Sequence, residues 1–289
     1  MCGRGDVTIW LSDEALKAWR APVSGKPGGQ RIYANIAIQT ALTVRMVYHL
    51  ALRQTEGFLR SRATQLELDV PVPDHTTLSR RARKLGKTRY APVASSRPIH
   101  ILVDSTGLKI HVGSLRRPPK YRDWRKLHVV VDSKSGHVVA SELTSKAVRD
   151  CARVPALLKQ IENPLASVSA DGAYDTERVY RAISAHGAGR SAKIVIPPKR
   201  DALLSEEPVL KECNRHIRSV EKVGRRKWQS KSGYTKRSMV ENAIYRYEII
   251  IGTDMRSRNL ACQRLEARIG WKILNTMTDL GMPESYRLG

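Results

Sequence analysis

No stretch of this sequence is apolar for long enough to span a bilayer, no terminus reads as a basic amphipathic helix, and the first residues lack the apolar core of a signal peptide. A membrane is therefore not the expected partner, and the cytoplasm is the expected compartment. Cysteine is sparse as well: Cys2, Cys151, Cys213 and Cys262 stand far apart with no Cys-x-x-Cys pair. That spacing argues against a disulfide framework or a structural zinc and fits reduced thiols. There is no internal repeat and no low-complexity tract.

Acidic residues are the most telling shortage. Asp and Glu number 27 against 51 Lys and Arg, a formal charge of +24 and a pI near 10.3. Such a chain repels itself unless it works against a polyanion, which makes nucleic acid the leading partner. With 289 residues, 41% of them hydrophobic, it can bury a real core and divide into a larger and a smaller domain.

Residues 1–30 are Gly-rich towards their end, at Ser24 to Gly29, and read as a poorly packed lead-in. Residues 31–92 read as a helical domain. Apolar residues recur at helical spacing from Tyr33 to about Leu68, which predicts two helices separated near Leu52 to Glu56. A further short helix starts at Asp74, a natural N-cap, and puts Leu78, Ala82 and Leu85 on one face. Thr76 and Thr77 near its start and Arg80 and Arg81 on its body suit a helix-turn-helix recognition element, in which polar side chains reach base edges and cations hold phosphates. A solvated basic helix with an apolar seam is the plainer alternative.

From residue 98 the character becomes β-branched and aliphatic. Ile99 to Val112 reads as a hairpin bent at Gly107, and Leu127 to Ala140 as a second hairpin turning at Ser133 to Gly136. A basic run, Arg116 to Lys126, separates them. Val148 to Ile161 reads as a helix, Ala166 to Ala170 as a strand, Glu177 to Ala185 as a helix and Lys193 to Ile196 as a strand. This is an α/β domain with some parallel pairing, taken to occupy residues 98–289 with a basic insertion at about 199–233. Between Arg215 and Arg237 nine cations face a single acid, Glu221, so that stretch, with Arg225, Arg226, Lys227 and a Trp228 able to stack on a base, reads as a DNA-facing insertion. A solvated loop is the alternative.

Three acids stand out within this domain. Asp104 interrupts an aliphatic strand, where an unpaired carboxylate is expensive to bury. Asp171 ends another apolar strand, at the sheet edge where α/β proteins bind ligands. Either is by itself a common turn-former, but strand-borne carboxylates at matched depth offer oxygen ligands to Mg²⁺ or Mn²⁺. Tyr234, Arg237 and Glu241 fall at i, i+3 and i+7, one face of a helix. Taken alone, the Arg and Glu would be a routine surface pair.

The ordered set Asp104-Ser-Thr-Gly-Leu-Lys109, Trp124-Arg-Lys-Leu-His128, Ala170-Asp-Gly-Ala-Tyr-Asp175 and Tyr234-x2-Arg237-x3-Glu241 resembles bacterial insertion-sequence transposases of the DDE type, specifically the insertion-sequence-five family. The likeness runs from about Val72 to the C-terminus. It implies an RNase H-like catalytic domain beside a small helix-turn-helix-like DNA-binding domain. It implies that Asp104, Asp171 and Glu241 bind two divalent ions, Mg²⁺ or Mn²⁺, and cut and join DNA strands. The implied partners are double-stranded DNA, as transposon ends and target, and further copies of the chain in a homodimer or higher oligomer. The implied setting is the bacterial nucleoid. Tyr234, Arg237 and Arg246 would contact DNA. The chain departs from the family signature at Glu248, an anion where a Lys is usual and where the helix repeat points it towards DNA, and in a start, Asp6 to Ala15, that relatives precede with more sequence. Two other readings share these features: a decayed transposase that only binds DNA, and an RNase H-like nuclease that cuts without joining.

Overall fold

The computed structural model describes residues 10–23, 25, 27–85, 97–110, 124–186 and 192–281. The chain divides into two units, residues 1–88 with 256–289, and residues 89–255.

The first unit is helical. Its lead-in is better packed than its glycines suggest. Ser12 caps helix α1 (Asp13–Lys17), Trp10, Leu11, Ala15 and Trp19 are buried, and the Trp19 indole donates to the Pro71 carbonyl at 2.7 Å. Only residues 1–9 of that segment's first half lie outside the described residues. Helix α2 (Asn35–Val47) and helix α3 (Leu52–Gln65) follow, as the apolar spacing predicts, parted by a turn in which His49 adopts a positive φ. Helix α4 (His75–Leu85) begins where the Asp74 carboxylate accepts from the amides of Thr76 and Thr77 at 2.9 and 2.8 Å. These bonds and those from both threonine hydroxyls hold the Asp74 carboxyl well below the usual carboxylate range.

The second unit is built on a mixed sheet. Strand β1 (Ile99–Ile110) runs unbroken through Gly107, in place of the expected hairpin. A Cβ on Gly107 would stand 3.1 Å from the Trp124 ring, so glycine serves a cross-strand aromatic and not a bend. Residues 111–123, with most of the basic run, lie outside the described residues. Strands β2 (Trp124–Asp132) and β3 (Val138–Ser145) form the expected second hairpin. A 3-10 turn (Asp150–Arg153) leads into helix α5 (Val154–Leu158), shorter than predicted because Pro155 sets its start. Then come strand β4 (Leu165–Ser169), the 3-10 turn Gly172–Tyr174, helix α6 (Glu177–Ser184) and strand β5 (Lys193–Val195).

The spatial order is β3-β2-β1-β4-β5, with β1 antiparallel to β2 and parallel to β4. Three antiparallel strands continued by parallel ones, with helices on both faces, is an RNase H-like architecture. One face buries Ile101, Val103, Val130 and Val168 under α5 and α6. Each such side chain contributes roughly 1.5–3 kcal/mol.

The expected basic insertion is mostly helix: α7 (Lys211–Val223) and α8 (Arg225–Ser232) bury Cys213, His216, Ile217 and Trp228. A 3-10 turn (Tyr234–Arg237) then passes into helix α9 (Ser238–Ile250), and β6 (Asp254–Met255) pairs with the end of β1. The last helix, α10 (Leu260–Asp279), groups with the first unit, where it packs on α2 and α4, and not with the α/β domain in which the sequence places it. Its wide apolar face, including Leu265, Ile269, Trp271 and Ile273, accounts for this. Glu266 fixes its entry by accepting the amides of Arg256 and Ser257.

The interior of the insertion sets one pH dependence. His216 Nε2 donates to the Ile194 carbonyl at 2.7 Å, while Nδ1 accepts from the Trp228 indole at 3.1 Å. Nδ1 must therefore be unprotonated, and burial holds the ring's pKa below its ordinary value. The unfolded ring takes up a proton below about pH 6.5 and the folded ring resists it, so stability falls as pH drops through that value. In urea unfolding from pH 7 to pH 5, His216→Gln is expected to reduce this slope by up to about 1.4 kcal/mol per pH unit. An unchanged slope would show that His216 does not carry it.

Candidate functional site

Alternation along β1 sends Asp104 and Thr106 to the face opposite the α5 and α6 core, and α9 lies across that face. The Asp104 side chain, 14% exposed, lies 2.8 Å from Arg237 Nη2, and the same nitrogen stands 3.2 Å from Glu241 Oε1. Asp104 Oδ1 also accepts the Ser105 amide at 2.8 Å. Arg237 Nη1 donates to the Tyr234 hydroxyl at 3.0 Å, and the guanidinium lies over the Tyr234 ring. The neighbouring Asp104 carboxylate and Tyr234 raise the guanidinium's pKa against the opposing effect of burial, so it is a permanent cation.

Asp171 enters by register. In the parallel pair β1–β4, Ile101 faces Val168 and Leu102 faces Ser169. Asp171 keeps an extended backbone (φ −78°, ψ 174°), so the same register carried two residues further sets Asp171 beside Asp104 and on the same face. Its carboxylate accepts the Ala173 amide at 2.9 Å and caps the Gly172–Tyr174 turn. A Cβ on Gly172 would touch the Pro197 carbonyl, which keeps this turn close to the chain after β5.

The three acids therefore belong to one face, but they do not form a closed cage. Among the described residues, no three Asp, Glu, His or Cys side chains stand together as a metal site, and Arg237 fills the interval between Asp104 and Glu241. All the donors are oxygens, the set preferred by Mg²⁺ and Mn²⁺. Two of them are already arranged around a positive charge.

The other sequence-predicted residues separate into two groups. Arg226 and Lys227 are exposed on α8, and Arg246 is half-buried on α9. Arg225, however, donates to the Pro198 carbonyl at 2.6 Å. Trp228 is 2% exposed and bonded to His216, so the expectation that it stacks on a base is corrected. On α4, Thr76 and Arg80 are exposed, whereas Thr77 is buried against Asp74. Arg81 donates to the Tyr33 carbonyl and Asn35 side chain, which makes it a tie within the unit. Ser79, Arg83 and Lys84, which the sequence places with them on the polar and basic faces of this helix, line a groove of the first unit with Thr76, Arg80 and Asn259. Glu248 accepts a hydrogen bond from Thr106 at 2.8 Å, so this anion has a partner on the sheet.

Two family models match the chain, each described as a transposase DDE domain, over residues 2–113 and residues 95–269. Among solved structures, the chain is similar to a piggyBac transposase synaptic complex with hairpin DNA. That likeness has 11% identity and a TM-score of 0.36, over 94% of this chain and 74% of that one, and is too faint to bear on fold or function. Among the described residues, no helix is long and apolar enough to cross a membrane.

The shared cation yields a test that needs no DNA. Arg237→Gln leaves Asp104 and Glu241 without it and is expected to lower metal-free stability by about 2–3 kcal/mol, somewhat below the cost of breaking a fully buried pair because Glu241 is more than half exposed. Mn²⁺ should then raise the variant's thermal midpoint more than the parent's. Equal Mn²⁺ shifts would remove Arg237 from competition with a metal.

Proposed function

The chain belongs to the transposase DDE-domain family and is a DNA transposase, and from that membership we propose that it binds the terminal inverted repeats of a mobile element and performs strand cleavage followed by strand transfer. Asp104, Asp171 and Glu241 would hold two divalent ions, Mg²⁺ or Mn²⁺. The observation that carries this reading is the placement of two aspartates at matched depth on neighbouring strands, with Glu241 brought to the same face by the guanidinium it shares with Asp104. Bound there, such ions supply activation of a water or 3′-hydroxyl and stabilisation of the leaving oxygen.

The chain's own groups do the rest. With a divalent ion supplying the charge that Arg237 now provides to Asp104 and Glu241, the guanidinium would be free to hold a phosphate, for which its planar fork is suited, with the Tyr234 ring beside it. The groove of the first unit, with Arg80, Arg83 and Lys84 beside Thr76 and Ser79, has the chemistry of a DNA-backbone site with polar groups able to reach base edges. Exposed Arg226 and Lys227 add positive charge in the second unit. A homodimer or higher oligomer, acting in the bacterial nucleoid, would bring two ends together.

Assays on DNA carrying defined element ends test this directly. Asp104→Ala, Asp171→Ala and Glu241→Ala are each expected to abolish Mg²⁺-dependent cleavage and joining while end binding persists. Retained activity in one of them would remove that residue from the site, and cutting without joining by the parent protein would favour a nuclease.

Binding should weaken with log salt by roughly 0.9 per phosphate neutralised. Replacing Arg80, Arg83 and Lys84 together with Ala is therefore expected to flatten the slope by up to about three times that amount. If the slope is unchanged, the groove does not carry DNA.

A further inference from the structure

Behind the acidic face, the same strands carry a buried polar chain. Lys126 and His128 alternate with Leu127 and Val129 along β2, and His128 lies opposite Ser105 on β1 and Glu142 on β3. The His128 ring is fully buried. Its Nε2 lies 2.9 Å from the Thr144 hydroxyl and its Nδ1 lies 3.2 Å from Asp150 Oδ1. Lys126 Nζ stands 3.2 Å from the other Asp150 oxygen, and Arg153 pairs with Glu142. Burial lowers the imidazole's pKa, so the ring is neutral and Lys126 supplies the positive charge that Asp150 needs. The Lys126–Asp150 and Arg153–Glu142 ion pairs fasten the Asp150–Arg153 turn to β2 and β3, whereas His128 Nδ1 and Asp150 Oδ1 make no hydrogen bond.

That turn packs against the Gly172–Tyr174 turn, which Asp171 caps. Tyr174 is 2% exposed, and its hydroxyl makes no hydrogen bond of ordinary geometry among the described residues, although Ser105 lies beside it. Burial first, then the charges of Asp150, Asp104 and Asp171, hold the phenol's pKa well above its ordinary value. It is thus a permanent donor among acceptors, and a buried donor left unpaired is costly enough to call for a role.

We propose that Tyr174, seated by the Asp150–Arg153 turn, is a positioning residue that holds the Asp171 turn at the depth of Asp104 from the core side of the sheet, its hydroxyl donating to Ser105, the chain neighbour of Asp104, when the aspartate pair closes on a divalent ion. The inference rests on the reading of Asp171 as a metal ligand. It gives the buried tyrosine of the Ala-Asp-Gly-Ala-Tyr-Asp segment a function that the three acids do not explain.

The test is Mn²⁺ binding by the full chain without DNA, followed by thermal shift, for the parent, Tyr174→Phe, Asp150→Asn and Asp171→Ala. Tyr174→Phe keeps the ring in the core and removes only the hydroxyl. Its metal-free midpoint is expected to stay near the parent's, while half-saturating Mn²⁺ rises about tenfold, the lower end for loss of a ligand's hydrogen-bonding partner. Asp150→Asn should shift it in the same direction. Unchanged half-saturation in both variants, with binding lost in Asp171→Ala, would overturn the positioning role and leave the metal reading standing. A lowered midpoint with unchanged half-saturation would likewise overturn it, by showing a purely structural role. Parent-like Mn²⁺ binding by Asp171→Ala would overturn both.

Discussion

A carboxylate on a central strand must be given a cation, and the second unit of this protein is organised around how Asp104 receives one. Arg237 supplies it from the turn before α9 and shares the same nitrogen with Glu241. One ion-pair network thereby fixes where α9 lies on the sheet and brings an acid from a helix to an acid on a strand. With Asp104 and Arg237 both less than one-fifth exposed, the network is shielded enough to matter structurally, unlike the exposed Arg181–Glu177 pair on α6.

The sheet separates two polar tasks by the alternation of its strands. Asp104 and Thr106 face α9, while Ser105 faces the core with His128 on its neighbour. The first face is partly open and acidic, with its charges held by Arg237. The second is closed, and its charged groups are ion-paired, Lys126 with Asp150 and Arg153 with Glu142, as burial requires. Neither set can be exchanged for the other without a one-residue slip, and a slip would turn the aliphatic partners Ile101 and Val103 out of their core.

Much of the site was legible before the fold was known, because strand-borne aspartates and a helical Tyr-Arg-Glu spacing are local signals. The same holds for the Asp74 cap and the β2–β3 hairpin. What escaped was set at long range. Gly107 reads as a bend until Trp124 is placed against it, since nothing local records a cross-strand ring. Arg81 and Thr77 share the composition of their exposed neighbours, and only Tyr33, Asn35 and Asp74 turn them inward. The 199–233 region is basic enough to read as a loop, yet four buried side chains, Cys213, His216, Ile217 and Trp228, fold it into helices. For α10, sequence adjacency to α9 pointed to one domain, while its apolar face found α2 and α4.

Glu248 shows how a departure from a family pattern can be absorbed by geometry. Between Arg237 and Glu248 the backbone rises about 1.5 Å per residue along α9, well over twice the distance that β1 covers between Asp104 and Thr106 at about 3.3 Å per residue. The helix still meets both strand residues, because the long arginine and the glutamate reach inward from opposite ends to Asp104 and Thr106. Glu241, one turn into the helix, is held between these two fastenings. A Lys at 248 could still donate to the Thr106 hydroxyl oxygen but would give up the carboxylate that accepts its proton, so the anion that departs from the signature acts with the buried Val240, Ala243 and Tyr247 in seating the glutamate helix on the aspartate strand.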